Sequence, residues 1–420
     1  MSPTPSTPLR LPPVWLVLLA AAGAFALTMG VRQSMGLFLS PLNTATGLGL
    51  GSISLAFACG QLCWGLTQPF AGAMADKVGA GRVLLLGVVL VTVGTVITPL
   101  MSSTLGLILA IGVLSAGGAG MAGPAVLMAA TTRLIPPERR GLATGVVNAG
   151  GSFGQFVMAP VAGALSAGMG WAGAMQVMGL MVLLALPAAY VLKGSSLAPS
   201  APAPTSSSQA SAAPINTRQA LGNALAHPGF RWLSLGFFVC GFHVALLATH
   251  LPGVIAACGL PAEYGGWSLA MLGLFNIVGS VLMGWAVGRW RMKSLLSAVY
   301  AARAVAIVLF LLAPKTGATA LIFAAVMGLT FLSTVPPTAG LVAKFFGISH
   351  MATLFGVVML AHQLGGFLGA WLGGKVFEVT GAYDWIWYLD IVLAVGAALA
   401  HRPIQEAPLP ARTVPGAARA

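Results

Sequence analysis

Charge is what this chain has least of. Asp and Glu number 7 and Lys and Arg 20 in 420 residues, so charged residues make up 6% of the chain, against about 25% in an ordinary soluble domain. That is too little to wet the surface of even one globule, so most of the surface is expected to face lipid. Cysteine is also scarce. Cys59, Cys63, Cys240 and Cys258 all sit in apolar stretches, without the paired Cys-x-x-Cys or Cys/His spacing of a zinc framework. They read as free apolar thiols. The basic residues form no run or stripe with interleaved aromatics, which argues against a nucleic-acid partner. No nucleophile–base pair or ligating cluster points to an enzyme, a metal or a cofactor.

Apolar residues, by contrast, make up 58% of the chain, in runs near the roughly 20 residues a spanning helix needs. Spans are expected at about 14–40, 50–75, 81–101, 104–131, 141–166 and 170–192. A second set is expected at about 231–257, 264–288, 294–313, 318–343, 350–374 and 384–401. The first run is too long for a cleavable signal and reads as a retained anchor. Lipid offers backbone groups no partners, so the spans must be helices. The fold class is therefore an all-α membrane protein of about twelve transmembrane helices in two pseudo-symmetric six-helix bundles.

Between the two sets, residues 194–230 hold Ser195, Ser196, Pro199, Pro202, Pro204, the Ser206–Ser208 run and Pro214. Such a stretch buries too little apolar surface to order itself and reads as a disordered linker. It joins an N-terminal bundle (14–193) to a C-terminal bundle (231–402), with tails at 1–13 and 403–420. The bundles echo each other. Gly145-Val146-Val147 in the fifth span returns as Gly356-Val357-Val358 in the eleventh. Sixteen of the 20 Lys and Arg residues fall in the tails, the linker and one set of loops, while the opposite loops carry only Lys315 and Lys375. By the positive-inside rule both termini and the linker are expected in the cytoplasm, and the chain in a plasma or inner membrane.

The loop after the second span reads Gly72-Ala-Met-Ala-Asp76-Lys77-Val-Gly79-Ala-Gly-Arg82. It resembles the signature cytoplasmic loop of the major facilitator superfamily. Gly72 is expected to allow close helix contact, Gly79 a tight turn, and Asp76, with Lys77 and Arg82, a latch on one conformation. A narrower resemblance is to the monocarboxylate transporter branch and its bacterial relatives. It is carried by Arg32-Gln33-Ser34, Asn148-Ala-Gly-Gly-Ser-Phe-Gly-Gln155 and the Gly-Trp171 that opens the sixth span. Gln33 stands at the position of that family's functional lysine. Asn276 and Ser280 stand where the family has an aspartate and an arginine.

What the resemblance implies is a secondary transporter working by alternating access, moving a small organic anion such as a monocarboxylate with protons or by exchange. The alternatives are an exporter of amphipathic drugs or metabolites, or a membrane sensor on a transporter fold. Arg32 lies inside a span, at an insertion cost of at least roughly 2.5–3.5 kcal/mol, and is the expected carboxylate ligand. Gln33, Asn148, Gln155, Asn276 and Gln363 are expected beside it. His243, His250 and His362 lie within spans and are the candidates for proton coupling. Arg303 and Asp390 are the remaining embedded charges and are expected to form a structural ion pair. Gly365, Gly369 and Gly373, at every fourth position, are expected to seat one helix closely on another. The partners are then a small molecule, protons and lipid, with a monomer as the working unit.

Overall fold

A computed structural model describes residues 13–134, 140–193, 217–347 and 351–406. Among these residues every regular element is helical. Ten segments are long and apolar enough to cross a bilayer. One of them, Gly145–Val191, spans 47 residues and bends at Gly170, where φ is +77°, so it holds both the fifth and sixth crossings. A further helix, Asp384–Ala400, is 17 residues long and makes the last crossing, so the crossings number twelve, as the apolar runs predict.

The first crossing is Val14–Thr46, the third Ala80–Leu100 and the fourth Thr104–Met128, and the second is Leu50–Val78. The seventh is Pro228–Ala257, the eighth Glu263–Val287, the ninth Met292–Leu312, the tenth Gly317–Phe346 and the eleventh Met351–Thr380. A core running from Val17 to Leu192 belongs wholly to the first six. The linker expectation needs one correction. Thr217–Ala226 is helical, and its Ala224 is buried in the core of the second bundle with Phe230 and Leu233. Residues 194–216 lie outside the described set.

Two irregularities position side chains. Residues Ile108–Ala116 of the fourth crossing form a π-helix, a widened turn common near functional sites. The tenth crossing breaks at residues 331–334, just before Pro336 and Pro337, which have no N–H to donate. A break inside a membrane frees backbone groups that side chains must satisfy.

The two bundles meet at one end. Gly374 of the eleventh crossing lies against Ser54 and the Leu50 carbonyl of the second, and Gly36 of the first against the Ala248 and Thr249 carbonyls of the seventh. The contact reaches the middle, where Gly65 abuts Gln363 and Gly273 abuts the backbone of Ser152 and Phe156. Beyond that it stops. Gly72, Gly145, Gly284 and Gly356 lie two or three turns further along the same helix faces, and a Cβ on any of them would meet nothing within 4 Å. The bundles therefore touch at the end bearing residues 47–49 and part at the end bearing Gly79. Gly365, Gly369 and Gly373 seat the eleventh crossing on Phe238, Phe242 and His250 of the seventh, as expected. Gly72 makes no close helix contact, which corrects the reading of that position.

Candidate functional site

On the first crossing, the turn at Met35–Phe38 tightens to a 3-10 helix directly after Arg32, Gln33 and Ser34. Arg32 and Gln33 open on a cavity of about 30 Å³, room for a single water. Phe57, Gly60 and Gln61 of the second crossing line it, with Ile111, Ser115 and Ala116 from the π-helix and Ala248 and Thr249 from the seventh. The site thus belongs mainly to the first bundle and is closed by the second. Ser115 is also held by Thr95, Oγ to Oγ1 at 3.0 Å.

Among the described residues, Arg32 is the only charged one lining this cavity. Its Nη1 donates to Gln33 Oε1 at 3.3 Å and its Nη2 to Gln61 Oε1. The Trp64 ring lies 4.6 Å from the guanidinium carbon, a cation–π contact that holds the fork in its plane. Carbonyl dipoles and a ring face thus satisfy the cation, and no carboxylate among the described residues cancels it. A planar fork so placed can take a carboxylate on two parallel hydrogen bonds. Gln61 and Trp64 were missed in the sequence. The signal available was an amide and an indole one turn apart in a largely apolar span.

The other expected ligands lie elsewhere. Asn148 is exposed. Asn276 serves the broken tenth crossing. Its Oδ1 accepts from Leu332 N at 3.1 Å and from Ser280 Oγ at 3.4 Å, while its Nδ2 donates to Ser152 Oγ of the other bundle at 2.9 Å. Gln155 and Gln363 are buried where the bundles touch, each with Nε2 unpartnered. His250 is tied through Nε2 to the Ala370 carbonyl at 2.6 Å. His362 is buried, with Nδ1 unpartnered and its ring 5.0 Å from Phe237.

The expected Arg303–Asp390 pair is not direct. His243 stands between them, with Nδ1 3.3 Å from Arg303 Nη1 and Nε2 3.0 Å from Asp390 Oδ1. Arg303 Nη2 donates to the carbonyls of Thr330 and Phe331, the latter at 2.9 Å; both are freed by the same break. Of the signature loop, Gly79 has φ +96° and ends the second crossing, as a tight turn requires. Lys77 and Arg82 are exposed. The Asp76 side chain lies outside those described. No group of three or more His, Cys, Asp or Glu placed to hold a metal occurs among the described residues.

Two six-helix bundles around a membrane-embedded site match a known architecture. The family model of the Major Facilitator Superfamily matches residues 20–370 and 259–417. The chain belongs to the major facilitator superfamily. It is similar to the uncharacterized MFS-type transporter YcxA of Bacillus subtilis, 24% identical over 88% of this chain and 90% of that one. It is also similar to monocarboxylate transporter 13 of Rattus norvegicus, 26% identical over 88% and 83% of the two chains. The oxalate:formate antiporter of Oxalobacter formigenes is 24% identical over 86% and 84%. Among solved structures, a bacterial homolog of the human lysosomal transporter Spinster superposes with a TM-score of 0.67, at 17% identity and covering 94% of each chain. This family is one of membrane transporters, not enzymes.

Proposed function

We propose that this superfamily member carries a small organic anion, in the first place a monocarboxylate, across the plasma or inner membrane by alternating access, with protons or a second anion as counterpart. The observation that carries this reading is the Arg32 guanidinium, held over Trp64 in a cavity between the bundles and neutralised by no acid among the described residues. In a low-dielectric cavity such a cation gains strongly from a carboxylate. The lining of Phe57, Ile111 and Ala116 suits a short apolar body and offers no second cation for a dianion. The similarity to monocarboxylate transporter 13 supports the same reading, and that to the oxalate:formate antiporter supports a small organic anion more broadly. The Lys and Arg bias supports a cytoplasmic location for both termini.

The test is uptake of radiolabelled lactate, pyruvate, formate and oxalate into proteoliposomes, with and without a pH gradient. Arg32→Gln should abolish uptake of the transported acid and leave the protein inserted. Arg32→Lys keeps the charge but loses the fork, and should raise the half-saturating concentration more than it lowers the maximum rate. Normal uptake by Arg32→Gln would refute the anion reading.

A further inference from the structure

The cavity beside Arg32 has room for about one water, so no carboxylate fits there while the side chains stay as they are. What fills the place of a carboxylate is a pair of amide carbonyls. Gln61 Oε1 sits on Nη2 and Gln33 Oε1 on Nη1, one oxygen on each arm of the fork. The Gln33 contact, at 3.3 Å, is long for a charged hydrogen bond, so the Gln61 contact is the dominant one.

We infer that Gln61 is an internal competitor for the substrate: its carbonyl occupies Arg32 in the empty site, and the incoming carboxylate must displace it. The inference rests on the anion reading above. An unpaired guanidinium in this interior would be costly, and Gln61 spares the empty carrier that cost. The displaced carbonyl also has somewhere to go. Trp64 Nε1, one turn along the same helix, is buried and has no acceptor. Trp64 keeps its face on Arg32 throughout, so the fork stays aimed while its partner changes. Gln61 also faces Gly366 of the eleventh crossing, which places the exchange beside the contact between the bundles.

The experiment compares Gln61→Leu, Gln61→Glu and Arg32→Gln in proteoliposomes, using whichever of lactate, pyruvate, formate or oxalate the wild-type protein takes up fastest. Removing the competitor should lower the half-saturating concentration in Gln61→Leu by about tenfold to a hundredfold, the worth of one hydrogen bond to a charged group. Gln61→Glu installs a permanent carboxylate on Arg32. It should abolish uptake while keeping or raising the melting temperature in detergent, which separates a blocked site from a misfolded one. A raised half-saturating concentration in Gln61→Leu would show Gln61 to be a substrate ligand and overturn the inference, as would an unchanged one. Normal uptake by Gln61→Glu would overturn it independently, even where Gln61→Leu fails to fold. If Arg32→Gln is inactive and the Gln61 variants behave like wild type, only the competitor is lost. If Arg32→Gln transports normally, the anion reading itself falls.

Discussion

His243 Nε2 lies 3.0 Å from Asp390 Oδ1 in the interior of the second bundle, both side chains being almost wholly buried. The other ring nitrogen faces Arg303. Arginine only donates, so Nδ1 must accept, and the proton of a neutral imidazole then sits on Nε2, toward the acid. The contact is close but poorly aligned, and both Asp390 oxygens lack a full hydrogen bond. The imidazole therefore spaces the two charges and fixes its own tautomer between them.

Removing Arg303 should do the most damage in this group. Arg303→Leu strands Asp390 and also the Thr330 and Phe331 carbonyls. A loss of about 3–5 kcal/mol is expected from an uncompensated buried charge. Asp390→Asn removes only the acid and should cost less. His243→Ala and Asp390→Ala should be non-additive in a double-mutant cycle read by thermal melting. Additive losses would mean that the 3.0 Å approach carries no energy.

Asn276 should behave as a strut. Asn276→Leu leaves Leu332 N–H unsatisfied and cuts the bond to Ser152. A buried unpaired group costs about 1–3 kcal/mol. The melting temperature should fall, and uptake should fall for every substrate alike. A selective loss for one substrate would return Asn276 to the binding site.

These two groups show where the sequence was legible. The twelve crossings follow from run length and lipid physics, and the glycine spacing on the eleventh foretold its packing. Arg32 and Gln33 were readable because an embedded cation is expensive. The roles of Asn276 and Arg303 were not readable, because both answer to a helix break some 30 to 60 residues away, at separations of 56 and 27 or 28. Pro336 and Pro337 announced that break, but not which side chains would satisfy it. The Arg303–Asp390 pairing named the right neighbourhood, since the ninth and last crossings do pack together. It missed the imidazole because His243 reads equally well as a proton carrier.

His227 offers a pH prediction outside the membrane. It caps the seventh crossing, with Nδ1 accepting from Phe230 N at 3.2 Å, and its ring packs on Phe345. Burial holds the imidazole below its ordinary value of 6.5. The folded state thus binds the proton less readily than the unfolded chain does. The cap's contribution should be complete above about pH 6.5 and be lost as pH falls through the lowered folded value. Melting in detergent should show a decline on acidification that His227→Asn, which keeps a cap without titrating near neutrality, reduces. An identical pH profile in His227→Asn would remove His227 from the account.

Glu406 should hold the segment that follows the last crossing to the second bundle. Its Oε1 accepts from Lys293 N at 2.8 Å, at the start of the ninth crossing. Its Oε2 meets Lys344 Nζ at 3.2 Å. An acid at a helix N-terminus contributes about 0.3–1 kcal/mol and an exposed pair little more. Glu406→Gln should therefore lower stability by about 1 kcal/mol or less, and the difference should shrink at high salt. A salt-independent loss would point to packing instead of charge.

The contact between the bundles sets the last expectation. Gly374 lies so close to Ser54 and the Leu50 carbonyl that any side chain there would force the two helices apart. A carrier that alternates must open this end in one state and close it in the other. Gly374→Leu blocks closure, and should shift the population toward the state open at that end while leaving each bundle folded. Thr249 lines the cavity, is 2% exposed, and makes a suitable reporter. With Cys59, Cys63, Cys240 and Cys258 replaced by serine or alanine, Thr249→Cys should react slowly with an impermeant maleimide added on the face bearing Lys315. Adding Gly374→Leu should speed that reaction severalfold and slow transport. Unchanged labelling together with wild-type uptake would show that the tight approach at Gly374 is not a gate.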